Sequence, residues 1–185
     1  MYYRLERRDR KSISVQIKGG EVLVKAPLSM KKSDIDRFVE THRNWIEERL
    51  ERAQEVKREI DSSPPLTYAE IEKLADKALE IIPPRVEHYA ELLGVKYGNI
   101  TVRNQRTRWG SCSSKGNLSF NCLLMLAPIE VLDSVIVHEL CHLKEMNHSK
   151  RFYSEVLRVF PDYYKHHEWL KQNGELLVGR MIGFD

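Results

Sequence analysis

Apolar and polar positions alternate with a period of two at the start of the chain. "SISVQIKGGEVLVKAP" keeps that alternation on both sides of Gly19-Gly20, which predicts a β-hairpin. Ile13, Val15 and Ile17 should share a face with Val22, Val24 and Ala26, and Pro27 should end the second strand. From Ser33, a candidate cap followed by Asp34 and Asp36, the period becomes helical. Ile35, Phe38, Val39, Trp45, Ile46, Leu50 and Ala53 fall on one side and charges fill the other. One long amphipathic helix is expected to about Ile60, ahead of Asp61-Ser62-Ser63-Pro64-Pro65, the best linker candidate.

Beyond the linker, "TYAEIEKLADKALEII" predicts a helix ended by Pro83-Pro84, and "RVEHYAELLGV" a short helix stopped at Gly94. "NITVRNQRTRW" and "NLSFNCLLML" read as two antiparallel strands around a "GSCSSKG" loop. Pro128 opens a further helix. "SKRFYSEVLRVF" and "DYYKHHEWLKQNG" close the chain as helices divided at Pro161. The expected class is α+β, with residues 1–60 forming a β-hairpin-plus-helix lobe and 67–185 a second domain.

The helix after Pro128 is apolar nearly all round, as a core helix should be. Its exceptions lie on one stripe: Glu130, Ser134, His138 and His142, each one turn apart. Unpaired polar groups in such a place cost about 1–3 kcal/mol each. A shared cation would satisfy both imidazoles. The pentapeptide His138-Glu139-Leu140-Cys141-His142 has the H-E-x-x-H form, in which two rings reach one Zn²⁺ at about 2.1 Å. Glu139 lies where it can contact a bound water. A third ligand is needed, and His148 is favoured over Glu155 or Glu168. On a continued helix His148 would lie roughly 9 Å further along the axis, so a break is required. Asn147 could supply it in a left-handed conformation, with Ser149 capping the next helix.

At 185 residues the chain can bury one substantial core, and its composition is that of a soluble globular protein. No apolar stretch approaches the roughly 20 residues that span a bilayer. "MYYRLERRDRKS" lacks the oily segment of a secretory leader, so the expected location is the cytoplasm, with no membrane partner. Cys112, Cys122 and Cys141 suggest no disulfide framework and read as reduced thiols. The net charge of +3 says little about partners; "RLERRDRK" reads as a solvated strand edge rather than a nucleic-acid site.

"RWGSC" (108–112), "LAP" (126–128), "HELCH" (138–142) and "NHSKRF" (147–152) together resemble the YgjP-like family of metal-dependent hydrolases. This is a branch of the zincin metallopeptidases related to the SprT-like group, and the likeness extends to the "NWIEERL" helix. The resemblance implies a zincin-like catalytic domain, histidine ligands at His138, His142 and His148, and a catalytic Glu139. Metzincins share the spacing to the third histidine but carry glycine where this chain has Glu145.

The expected chemistry is hydrolysis of a peptide or protein, with zinc acidifying a water and Glu139 moving its proton to the leaving amine. Arg106, Arg108 and the backbone around Gly110 and Ser111 are candidate oxyanion donors. Alternatively, Trp109 and its neighbours simply close a hairpin. That hairpin's edge could also hold an extended peptide. Cys112 reads as loop packing in preference to a nucleophile or fourth ligand, Cys141 as core, and His166-His167 as a solvated face. Two other functions stay open. Arg103, Arg106, Arg108 and Lys115 could serve a nucleotide phosphoanhydride hydrolase. A nucleic-acid-binding module with a closed, structural zinc is the other.

Overall fold

The computed structural model describes residues 1–18 and 20–181. It is α+β, in two compact units, the first Met1–Ser63 and the second beginning at Pro64.

In the first unit β1 (Arg4–Arg8), β2 (Ser14–Lys18) and β3 (Glu21–Pro27) form a sheet in the order β1-β3-β2. The β2–β3 hairpin is antiparallel; Gly19 of its expected turn lies outside the described residues. The basic run becomes an edge strand, parallel to β3. Val22, Val24 and Ala26 pack with Ile35, Val39 and Ile46, and Ile13, Val15 and Ile17 join them. The single expected helix is two, α1 (Lys32–Thr41) and α2 (Arg43–Ser62). Thr41 Oγ1 donates to the Arg37 carbonyl and His42 Nδ1 to that of Phe38, so side chains compete for the backbone and end α1. Its N-cap is Lys31, not Ser33, and makes no side-chain cap bond.

In the second unit α3 (Tyr68–Leu93) starts on a capping box: Thr67 N donates to Glu70 Oε2 at 2.8 Å, and Glu70 N to Thr67 Oγ1 at 3.3 Å. It ends at Gly94, whose φ of 65° suits glycine. Pro83 and Pro84 do not divide it, contrary to expectation. Each proline deletes one i→i−4 bond, but the carbonyls released belong to Leu79 and Glu80, both exposed to water. Ala78, Ile82, Val86 and Ala90 meanwhile form one unbroken buried stripe, and that packing holds the helix together.

The second sheet contains β4 (Ile100–Arg103), β5 (Gly110–Cys112) and β6 (Leu118–Asn121) in the order β4-β6-β5. β4 runs parallel to β6, not antiparallel as the sequence implied, and the hairpin partner of β6 is β5. Thus Gly110–Cys112, expected as the start of the loop, is a strand. "CLLML" is a 3-10 turn, because Asn121 Oδ1 accepts from Leu123 N at 3.1 Å and bends the chain out of the sheet.

Three helices complete this unit: α4 (Ile129–Cys141), α5 (Lys150–Val159) and α6 (Tyr163–Gly179). Leu132, Ile136, Val137 and Leu140 place α4 at the centre of the core. Arg85 Nη1 ties α3 to α4 by donating to both carboxylate oxygens of buried Asp133, at 2.7 and 2.8 Å. Asp133→Ala should therefore destabilise the protein by about 1–3 kcal/mol, the range for a lost charged hydrogen bond. Arg85 is exposed enough to rehydrate, which keeps the cost below that of a fully buried pair. A urea midpoint unchanged from wild type would refute that contribution.

Candidate metal centre

Burial of α4 presents its polar stripe to one place. His138 and His142 lie a turn apart, and His142 caps the helix. The chain then leaves the helix through tight turns: Leu143 N donates to Leu140 O and Lys144 N to Cys141 O, each at 3.0 Å. No described residue other than glycine has a positive φ, so Asn147 does not make the left-handed break expected of it. Instead Ser149 N donates to Asn147 O at 2.8 Å, and Ser149 Oγ caps α5 through Phe152 N at 3.2 Å. This turn carries His148 back to the other two. One ring nitrogen from each of His138, His142 and His148 falls within a set spanning no more than 4.8 Å. His138 Nε2 and His148 Nε2 are 3.0 Å apart. Phe152 packs against all three rings, at centroid distances of 4.7–4.9 Å.

The tautomers suit a cation. His142 Nδ1 can only donate to the Glu145 carbonyl, at 3.2 Å, which leaves Nε2 with its lone pair. His138 Nδ1 is 2.8 Å from Tyr163 Oη. Burial pushes His138 down to about 3 and lowers His142 as well, so both are neutral imidazoles at ordinary pH, the form that can bind a cation. The donor set therefore fits a borderline-soft divalent ion. Glu155 does not join it, being paired with Lys144 and Arg158; Glu168 faces Lys171.

Glu139 is buried beside this triad, and burial raises its carboxyl to about 7 against the opposing pull of Arg108 and the Cys112 N–H. Its approach to β5 is very close. A Cβ built on Gly110 would lie 2.7 Å from Glu139 Cγ and Oε1, so only glycine fits there. Trp109 stacks on Gly174 of α6, and together with Gly110, Val135, His138, Glu139 and Leu170 it lines a cavity of about 180 Å³. Ser111 and Arg108 line a second cleft. Arg106 donates to the Met181 carbonyl at 3.3 Å. Cys112 is half-buried, with its thiol pushed up by burial and by Glu139; Cys141 is fully buried. His167 is not the solvated residue expected: it stacks on Tyr163 and lines the cavity.

Sequence reasoning missed Tyr163. The available signal was general: a buried phenol needs a hydrogen-bond partner, and at 2 % exposure Tyr163 is such a phenol.

An imidazole cluster beside a buried carboxylate belongs to a class, and comparison with known proteins identifies it as metal-dependent hydrolases with a metallopeptidase domain. The profile of the YgjP-like metallopeptidase domain matches residues 11–73 and 62–173, and the chain belongs to the YgjP-like family. Two solved structures are similar over half of it. The metallopeptidase zymogen abylysin of Pyrococcus abyssi is 22% identical with a TM-score of 0.46, the match covering 50% of this chain and 94% of that one. The zymogen jannalysin of Methanocaldococcus jannaschii is 23% identical with a TM-score of 0.45, covering 50% and 95%. Among curated proteins none matches. No helix among the described residues is long and apolar enough to cross a membrane.

Proposed function

We propose that the chain is a zinc peptidase of the zincin type, with His138, His142 and His148 as ligands and Glu139 as general base, its catalytic unit spanning residues 67–185. The observation that carries this reading is the convergence of three imidazole nitrogens within 4.8 Å, next to a buried carboxylate on the same helix. When bound, zinc acidifies a water and polarises a carbonyl. Glu139 accepts the proton of the attacking water and delivers it to the leaving amine. Its raised pKa, near the operating pH, suits both halves of that transfer.

Strand β5 is the element to which we assign substrate alignment. Trp109 O accepts from Asn121 N and Ser113 N donates to Asn117 O, so the intervening main-chain groups of Gly110 and Cys112 point away from β6. The Cys112 N–H already meets Glu139. The Gly110 amide is left to pair with an extended peptide or to donate to a developing oxyanion. The cavity lined by Val135, Trp109 and Leu170 offers space for one apolar side chain beside the scissile bond.

Tyr163 positions the first ligand. With His138 Nε2 turned toward His148, its Nδ1 carries the proton and donates to Tyr163 Oη. Tyr163→Phe should weaken zinc binding by about 10–100-fold, the usual effect of removing such a partner. Competition with a chelating dye would measure this, and an affinity equal to wild type would remove Tyr163 from the account.

A panel of quenched peptides and nucleoside triphosphates, run with zinc and with chelator, tests the function. Metal-dependent cleavage of peptides is the expected result. Hydrolysis of nucleotides alone would overturn the peptidase reading.

A further inference from the structure

The cavity beside the imidazole triad has a polar end that peptide hydrolysis as such does not require. At its reaction end it is lined by Gly110, His138 and Glu139. Ser134 and Val135 lie one turn back along α4, and His167 lies one turn beyond Tyr163 along α6. The cavity therefore extends about one helical turn, roughly 5.4 Å, from the reacting groups. Trp109, Val135 and Leu170 give it apolar walls. Its far end holds hydrogen-bonding capacity that the protein itself leaves unused. His167 stacks on Tyr163 with ring centroids 5.3 Å apart, and its Nδ1 lies 3.5 Å from the phenol oxygen. Its Nε2 has no hydrogen-bond partner among the described residues. Buried Ser134 donates its hydroxyl to the Val131 carbonyl at 2.7 Å, which leaves the oxygen able to accept.

Resting on the peptidase reading, we infer that this cavity is a specificity subsite for a tyrosine next to the cleaved bond, its ring packed on Trp109 and its hydroxyl held by His167 and Ser134. Size sets the first limit. The cavity measures about 180 Å³, and an apolar cavity of about 150 Å³ takes up one benzene ring. Trp109 supplies an aromatic wall for that ring. Chemistry sets the second limit. A phenol both donates and accepts, so it matches either tautomer of His167 and can also donate to the Ser134 oxygen. Leucine or phenylalanine would satisfy the walls and leave the imidazole nitrogen unmet. A site built to hydrogen-bond its occupant rejects an analogue that lacks the group for this reason. An acidic side chain is disfavoured, because the Glu139 carboxyl shares the cavity.

The test uses the zinc-loaded full chain and one peptide in which Tyr, Phe, Leu or Ala is placed in turn at each position flanking the cleaved bond. At one position Tyr should exceed Phe by about ten-fold or more in kcat/KM, and Phe should exceed Ala. His167→Leu should bring the Tyr-to-Phe ratio close to one while keeping the preference for Phe over Ala. His167→Gln, whose amide still donates and accepts, should retain part of the Tyr preference. These are ratios within one variant, so a loss of overall activity or of metal does not mimic them. Equal cleavage of the Tyr and Phe peptides by the wild type would overturn this inference and leave the peptidase reading standing. So would a Tyr preference that His167→Leu leaves unchanged. Cleavage of no peptide would overturn both.

Discussion

Glu139→Gln is expected to retain a full equivalent of zinc and to lose about 10²–10⁴-fold in kcat/KM, the range associated with a positioned general base. The amide is isosteric, so it can keep the contact with Gly110 and still accept from the Cys112 N–H. What it cannot do is take a proton. The loss should therefore fall on kcat at unchanged metal content, which elemental analysis and steady-state kinetics on one preparation would show together. A variant with wild-type turnover would take Glu139 out of the reaction.

The second large effect concerns the ligands. His142→Ala should lose stoichiometric zinc, with affinity falling beyond the roughly 100-fold typical of a lost supporting partner, and activity should drop to that of chelated wild type. Far-UV circular dichroism should stay close to wild type. His142 sits at the C-terminal cap of α4, whereas the helix is held by Leu132, Ile136, Val137 and Leu140. The metal-free second unit thus has its own core, and metal loss should cost activity rather than the fold. Retention of one tightly bound zinc per chain in this variant would contradict the ligand assignment.

Much of this arrangement was legible in the amino-acid order because it is local. His138 and His142 differ by one turn inside an apolar helix, and a period of 3.6 places them on one face whatever the tertiary structure. The need for a break before His148 was equally local, but its form was not. Asn147 tolerates a left-handed conformation without requiring one, and the observed turn uses none. Strand β5 escaped notice for the opposite reason. Three residues cannot display alternation, and Gly110 is a poor strand former kept there by its closeness to Glu139. Parallel pairing of β4 with β6, and of β1 with β3, is long-range, and no short window of sequence contains it. Pro83-Pro84 misled because a local rule gave way to a buried stripe on α3. Tyr163 comes from 25 positions beyond the ring it touches, so its role depends wholly on how α6 packs.

Zinc-edge X-ray absorption on the stoichiometrically loaded protein is the most direct measurement. The account predicts three imidazole nitrogens at about 2.1 Å with one further light ligand from solvent, and the spectrum losing an imidazole shell in His148→Ala. A sulfur shell from Cys112, or a fourth ligand from the chain closing the site, would contradict it.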